Sequence, residues 1–139
     1  MKLQLVDYQT AKDLKELGFN WKVRYFWDEN SPKLTPYGYN YEDNYNDDII
    51  FESKNYYSAP EQALVTKWFR DIYGLSIETV RLPKGYETCV TRINDEYLDV
   101  VIGGSKFNTW PIYEEAVLEG IKKTINYIKD EMAKSTTTS

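Results

Sequence analysis

Histidine does not occur among the 139 residues, and cysteine occurs once, at Cys89. Without imidazole there is no Ser-His-Asp or Cys-His nucleophile pair, and no side chain titrates near neutrality unless its pKa is moved. The two scarcities together exclude a zinc site of Cys and His ligands within one chain. A single cysteine also excludes an intrachain disulfide framework, and the opening MKLQLVDYQTAKD carries no secretory apolar region, so a cytoplasmic location is expected. No apolar run approaches the ~20 residues that span a bilayer, and no membrane partner is expected. Basic runs are missing too: a net charge of −5 and a pI near 4.8 leave no cationic face for a nucleic-acid duplex.

What the chain has in abundance is aromatic rings, with thirteen tyrosines, four tryptophans and five phenylalanines. Few catalytic groups and many flat surfaces point to a binding protein rather than an enzyme, needing no cofactor and no metal. The length suits a single domain, here residues 1–134, followed by a polar frayed tail over 135–139.

Near the start, Thr10 reads as a helix cap, Leu14 and Leu17 share a face, and Gly18 suits the left-handed stop. Residues 19–29 read as a strand, with Lys22, Arg24 and Phe26 on one face and Val23, Tyr25 and Trp27 on the other. Residues 30–57 mix Pro32, Pro36 and Gly38 with Tyr37, Tyr39, Tyr41, Tyr45, Tyr56 and Tyr57 and with acids. They read as a long loop with a possible strand at 49–52. Either its tyrosines pack on a neighbouring sheet or the loop is a site.

Ser58-Ala59-Pro60-Glu61 has the form of a capping box, and Leu64, Val65, Trp68, Phe69 and Ile72 follow at helical spacing up to Gly74. The period then turns to two. Residues 75–82 and 86–94 form a hairpin about Pro83-Lys84-Gly85, residues 97–102 a further strand, and 106–110 a short extra piece. A long helix over 112–133 carries the stripe Val117, Ile121, Ile125, Ile128 and Met132, with Glu114, Glu115 and Glu119 at its front and Lys122, Lys123 and Lys129 behind. The whole is an α+β fold: an antiparallel sheet of three to five strands, two main helices packed on one face, and a short N-terminal helix.

Three stretches carry a resemblance. Tyr56-Tyr57-Ser58-Ala59-Pro60-Glu61-Gln62-Ala63-Leu64 running on to Lys67-Trp68-Phe69-Arg70, then Tyr113-Glu114-Glu115-Ala116-Val117-Leu118-Glu119-Gly120-Ile121, and the opening Ala11-Lys12-Asp13-Leu14-Lys15-Glu16-Leu17-Gly18-Phe19 together resemble a family of small uncharacterised phage and prophage proteins of gut bacteria. That family usually has Thr, Ser or Asp before the Tyr-Glu-Glu run, where this chain has Ile112. The resemblance implies a small accessory protein of viral or mobile-element origin, and no residue's role.

Among candidate sites, the acidic run 42–48 lacks the glycine and terminal glutamate of an EF-hand and reads as a solvated loop. Pairs such as Asp95 with Asp99, or Glu87 with Asp99, read as strand-edge charges, and Cys89 as a small buried hydrophobe. Arginines among aromatics are the better candidates, because guanidinium forks onto phosphates and stacks on rings, and Tyr and Trp stack on bases. Arg24, Trp27, Tyr56, Tyr57, Arg81 and Arg92 form this set; the opposed reading is core aromatics and surface charges. The expected function is sequestration of a small nucleotide-like ligand, such as a host defence signal. The alternatives are a module that blocks a host protein through the Tyr-rich loop, and last a carboxylate-dependent hydrolase. A homodimer or higher homo-oligomer is also expected.

Overall fold

The computed structural model describes residues 4–30, 37–47, 55–93, 98–103 and 109–137. The fold is α+β, with three α-helices and two antiparallel sheets of three strands each, so the strands divide where one sheet was expected. Contacts gather into two units, Met1–Glu61 and Gln62–Ser139.

The first unit opens with α1, Tyr8–Glu16. Its cap is Asp7, whose carboxylate accepts from the Thr10 backbone N–H at 2.8 Å; Thr10 itself is buried inside the helix. An earlier residue with the same chemistry took the role expected of Thr10. Gly18 follows the helix at φ +92°. Strands β1 (Val23–Asp28), β2 (Tyr37–Asp43) and β3 (Tyr56–Ser58) form a sheet in the order β2-β1-β3. Five steps along β2 oppose two along β1 between the Val23–Asp43 and Tyr25–Gly38 pairs. This irregularity breaks the expected alternation, and Val23 and Phe26 are both buried.

Part of the expected loop is therefore strand, and part of its aromatic content is core. Phe26 lies between Tyr45 and Tyr56, with ring centroids at 4.8 and 4.1 Å, and both tyrosines are buried. Asn46 ties this packing together: its Nδ2 donates to the Phe19 carbonyl at 2.9 Å and its Oδ1 accepts from the Ser58 N–H at 2.8 Å. The expected strand at 49–52 lies outside the described residues.

In the second unit, α2 spans Gln62–Trp68 and runs into a π-helical segment, Phe69–Tyr73, closed by Gly74 in the left-handed conformation at φ +66°. The capping box does not form. Ser58 is held in the β1–β3 ladder opposite Phe26, and among the described residues its hydroxyl has no hydrogen-bond partner. The wider π turn also rotates the helical phase: Trp68 and Phe69 are buried while Ile72, expected inside, is 56% exposed.

Strands β4 (Leu75–Leu82), β5 (Gly85–Ile93) and β6 (Leu98–Ile102) form a meander in the order β4-β5-β6, as the period-two pattern predicts. Of the further piece at 106–110, Trp110 is described; its backbone exchanges hydrogen bonds with Tyr86 at 2.7 and 2.9 Å. The turn residues 94–97 and residues 106–108 lie outside the described set.

Helix α3 runs Tyr113–Thr137, past the expected end at 133. It lies along β5. Tyr113 meets Tyr86 edge-on at 5.6 Å, the Ala116 carbonyl accepts from Thr88 Oγ1 at 2.9 Å, and the Tyr127 hydroxyl accepts from Arg92 at 2.8 Å. Six strand residues at ~3.4 Å and fourteen helix residues at ~1.5 Å both cover about 20 Å, so helix and strand keep step over this length. Val117, Ile121, Ile125 and Ile128 are buried, whereas Met132, last of the stripe, is 52% exposed. Among the described residues no helix is long and apolar enough to cross a membrane.

Candidate functional site

The six candidate residues fall in two groups. Arg24, Trp27, Tyr56 and Tyr57 belong to the first unit, Arg81 and Arg92 to the second. Arg24 is exposed on β1. Trp27 and Tyr57 are opposite each other in the β1–β3 ladder, and Tyr8 from α1 meets them edge-on at 6.2 and 5.6 Å. The Trp27 indole N–H donates to the Val6 carbonyl at 3.1 Å. Lys15 reaches over the Tyr57 ring at 5.1 Å while donating to the Tyr56 carbonyl at 3.1 Å. Burial, then the carboxylate of Glu29, Tyr8 and the carboxylate of Glu16, push the Tyr57 phenol up from its ordinary value. These aromatics already spend their faces and polar atoms on the first unit itself, and Tyr56 is buried under Phe26. They act as packing.

Arg81 and Arg92 lie at opposite ends of the β4–β5 hairpin. Arg81 stands opposite Tyr86, whose hydroxyl accepts from it at 3.1 Å and whose ring lies 5.1 Å away. Arg92 is six residues further along β5, about 20 Å off.

Around Arg92 the second unit holds a pocket of about 200 Å³. Leu75 and Ile128 supply apolar wall, Tyr73 and Tyr127 supply rings, and Arg92, Glu131 and Met132 complete the lining. Each wall has a local cause. Tyr73 ends the π-helical segment, and Gly74 turns the chain straight into Leu75 at the start of β4. The ladder sets Leu75 opposite Arg92, on the face that β5 turns to α3. Tyr127, Ile128, Glu131 and Met132 are neighbours on successive turns of α3.

The electrostatics are uneven. The Arg92 guanidinium donates one bond to the Tyr127 hydroxyl and sits 5.6 Å from that ring. Among the described side chains it has no carboxylate partner. Glu131 has a long contact with Lys134 at 3.7 Å, an exposed pair of small worth. Burial pushes the Tyr73 phenol up, so it stays neutral at pH 7. The pocket therefore offers donors from Arg92, acceptors from Glu131, and apolar or ring surface between. Among its described lining residues there is no carboxylate pair and no activated nucleophile. Cys89 is half-buried on β5, its thiol pushed up by burial and by Glu78 and Glu87. Among the described residues no cluster of acids and Cys could hold a metal ion.

Of the sequence candidates the pocket uses Arg92 alone. Tyr73, Leu75, Tyr127, Ile128, Glu131 and Met132 were missed, though two signals existed. Tyr127 sits between Ile125 and Ile128 beside the apolar stripe, and Met132 continues that stripe beyond the reach of its partner strands. No protein-family model, no curated protein and no solved structure matches this chain.

Proposed function

We propose that this chain is a non-enzymatic binding protein that sequesters a small nucleotide-like ligand at the Arg92 pocket. The observation that carries this is the Arg92 guanidinium, held by Tyr127 at a ring-lined pocket and unmatched by any described carboxylate. Charge-assisted bonds from such a fork are about twice as strong as neutral ones, and they favour an anionic or acceptor-rich guest. The volume sets the size. About 200 Å³ is below the roughly 300–1,000 Å³ of sites that engulf a drug-sized ligand, so one ring system enters and the remainder stays outside. Both flanks of the pocket are irregular: the π-helical segment ends at Tyr73, and the β5–β6 ladder changes register between Val90 and Thr91. Such irregularities are enriched at functional sites.

The resembled phage and prophage proteins supply the context: a viral accessory protein in a bacterial cytoplasm that removes a nucleotide-derived defence signal of the host. Sequestration needs no catalytic group, which suits a chain without histidine. The second reading is the Tyr-rich loop as a surface for a host protein; Tyr45 and Tyr56 are buried against Phe26 and would take no part in it.

Thermal-shift screening and calorimetry with mononucleotides and cyclic dinucleotides test this reading. A ligand at ~100 times its dissociation constant should add about 2.7 kcal/mol to stability. Arg92→Ala should abolish that gain, and the ligand should be recovered intact after the protein is denatured. A flat screen, or binding lost in Arg24→Ala but kept in Arg92→Ala, refutes it.

A further inference from the structure

We infer that the ring this pocket selects is a guanine base. The inference rests on the binding reading above and deepens it. Arg92 is a donor-only fork and Glu131 an acceptor-only carboxylate, and both line the same ring-sized space. A matching guest needs two adjacent acceptors on one edge and donors on another. Guanine has this pattern: N7 and O6 accept side by side, and N1–H with the N2 amino group donates. Arginine forking onto O6 and N7 is the commonest specific contact to that base in nucleic-acid recognition. Adenine carries an amino donor where O6 would be, so it meets Arg92 donor to donor and offers Glu131 no N1–H.

The remaining lining fits a flat ring. The rings of Tyr73 and Tyr127 and the thioether of Met132 give aromatic and polarizable surface to the base faces. Met132 stays half-exposed, an unusual outlay for the last member of an apolar stripe unless something covers it. Arg92 is already steadied by Tyr127, so less freedom is lost when the fork engages. Sugar and phosphates project outside, which makes the base, not the phosphate, the feature read.

The experiment is calorimetric titration of the full chain with GMP, AMP, inosine monophosphate and 7-deaza-GMP. GMP should bind at least tenfold tighter than AMP. Removing the N2 amino group (inosine monophosphate) or N7 (7-deaza-GMP) should each weaken binding about tenfold, the order expected for loss of a specific base contact. Arg92→Ala should erase binding. Glu131→Gln, an exposed change that leaves the fold intact by circular dichroism, should reduce the GMP-over-AMP preference at least fivefold. If AMP binds as tightly as GMP and still requires Arg92, the guanine inference fails while the binding reading stands. If no nucleotide binds, the binding reading fails with it.

Discussion

At Gly120 the helix α3 comes close to the β4–β5 sheet, and Gly120→Ala tests that packing directly. A methyl group there would stand 2.7 Å from Thr88 Cγ2 and 2.8 Å from Ile77 Cγ2. Carbon atoms pack best at about 3.5–4.0 Å. Neither neighbour can yield cheaply, since both are β-branched, stiff about χ1, and lie diagonally across one ladder, in the Ile77–Val90 and Thr79–Thr88 pairs. The helix must lift, which strains the Thr88–Ala116 hydrogen bond at 2.9 Å and loosens Ile121 beneath it. Overpacking costs about 1–3 kcal/mol and a weakened buried hydrogen bond about 1 more. Against this stands a gain of about 1 kcal/mol in helix propensity.

The net expectation is a loss of about 1–3 kcal/mol, read as a lower denaturant midpoint with an unchanged slope. Asn126→Ala, on the exposed flank of the same helix, gives a propensity gain without overpacking, somewhat below the glycine value, as a calibration. Thr88→Ser keeps the hydroxyl that bonds Ala116 and removes the Cγ2 methyl. In the Gly120→Ala background it should recover part of the loss, so that the double-mutant cycle shows a coupling of about 0.5–2 kcal/mol. A Gly120→Ala protein as stable as the parent, or additivity with Thr88→Ser, would refute the close-approach argument.

Asn46→Ala leaves the Phe19 carbonyl and the Ser58 N–H without their side-chain partner in a part-buried site, and should cost about 2–4 kcal/mol in chemical denaturation. Ser58→Ala should lie within about 0.5 kcal/mol of the parent or slightly above it, because its buried hydroxyl is unpaired among the described residues; a working cap would cost about 0.5–2 kcal/mol instead. Tyr57 and Tyr73 have phenols raised above 10.0 in the folded chain, so the native state holds protons that the unfolded state has released. Their contribution is therefore constant below about pH 10 and declines as pH rises through the folded values. Ultraviolet titration should show at least two phenols ionising late, and a set of thirteen titrating together near 10 would count against that burial.

Where a period runs unbroken, the fold was legible from residue types alone. The β4–β5 hairpin and the meander into β6 follow from alternation, and most of α3 follows from Val117, Ile121, Ile125 and Ile128, all of which are buried. Misreadings came where a residue had two possible employers. Ser58 suits a helix cap, but its N–H is taken by Asn46 and its backbone by β1. Asp7 and Thr10 compete for one cap, and the earlier residue wins. Tyrosine clusters read equally well as binding surface or core, and the choice turned on Phe26, whose flanking tyrosines come from sequence distances of 19 and 30 residues. No local pattern encodes such a partnership.

The candidate site was less legible than the fold for a related reason. Its residues come from places where periodicity slips or runs out: Tyr73 closes a π-helical segment, Arg92 lies beside a register change, and Met132 extends a stripe past the core it serves. A regular helix on a regular sheet buries its apolar face completely and leaves no recess. A recess needs an element to overshoot its support or to turn out of phase, and this chain does both at one end of α3. Arg92 was visible as an arginine on one of two strands expected to pair, but its value depends on Tyr127, 35 residues away, which holds the guanidinium and sets it against the pocket. The exposed fork of Arg24 has no such holder among the described residues. Ligand recognition here is thus a property of the irregular end of a regular layer, and Tyr127→Phe separates the two contributions. It keeps the ring and removes the hydroxyl, so it should weaken ligand binding while leaving the unfolding free energy within about 0.5 kcal/mol of the parent, as for other surface changes.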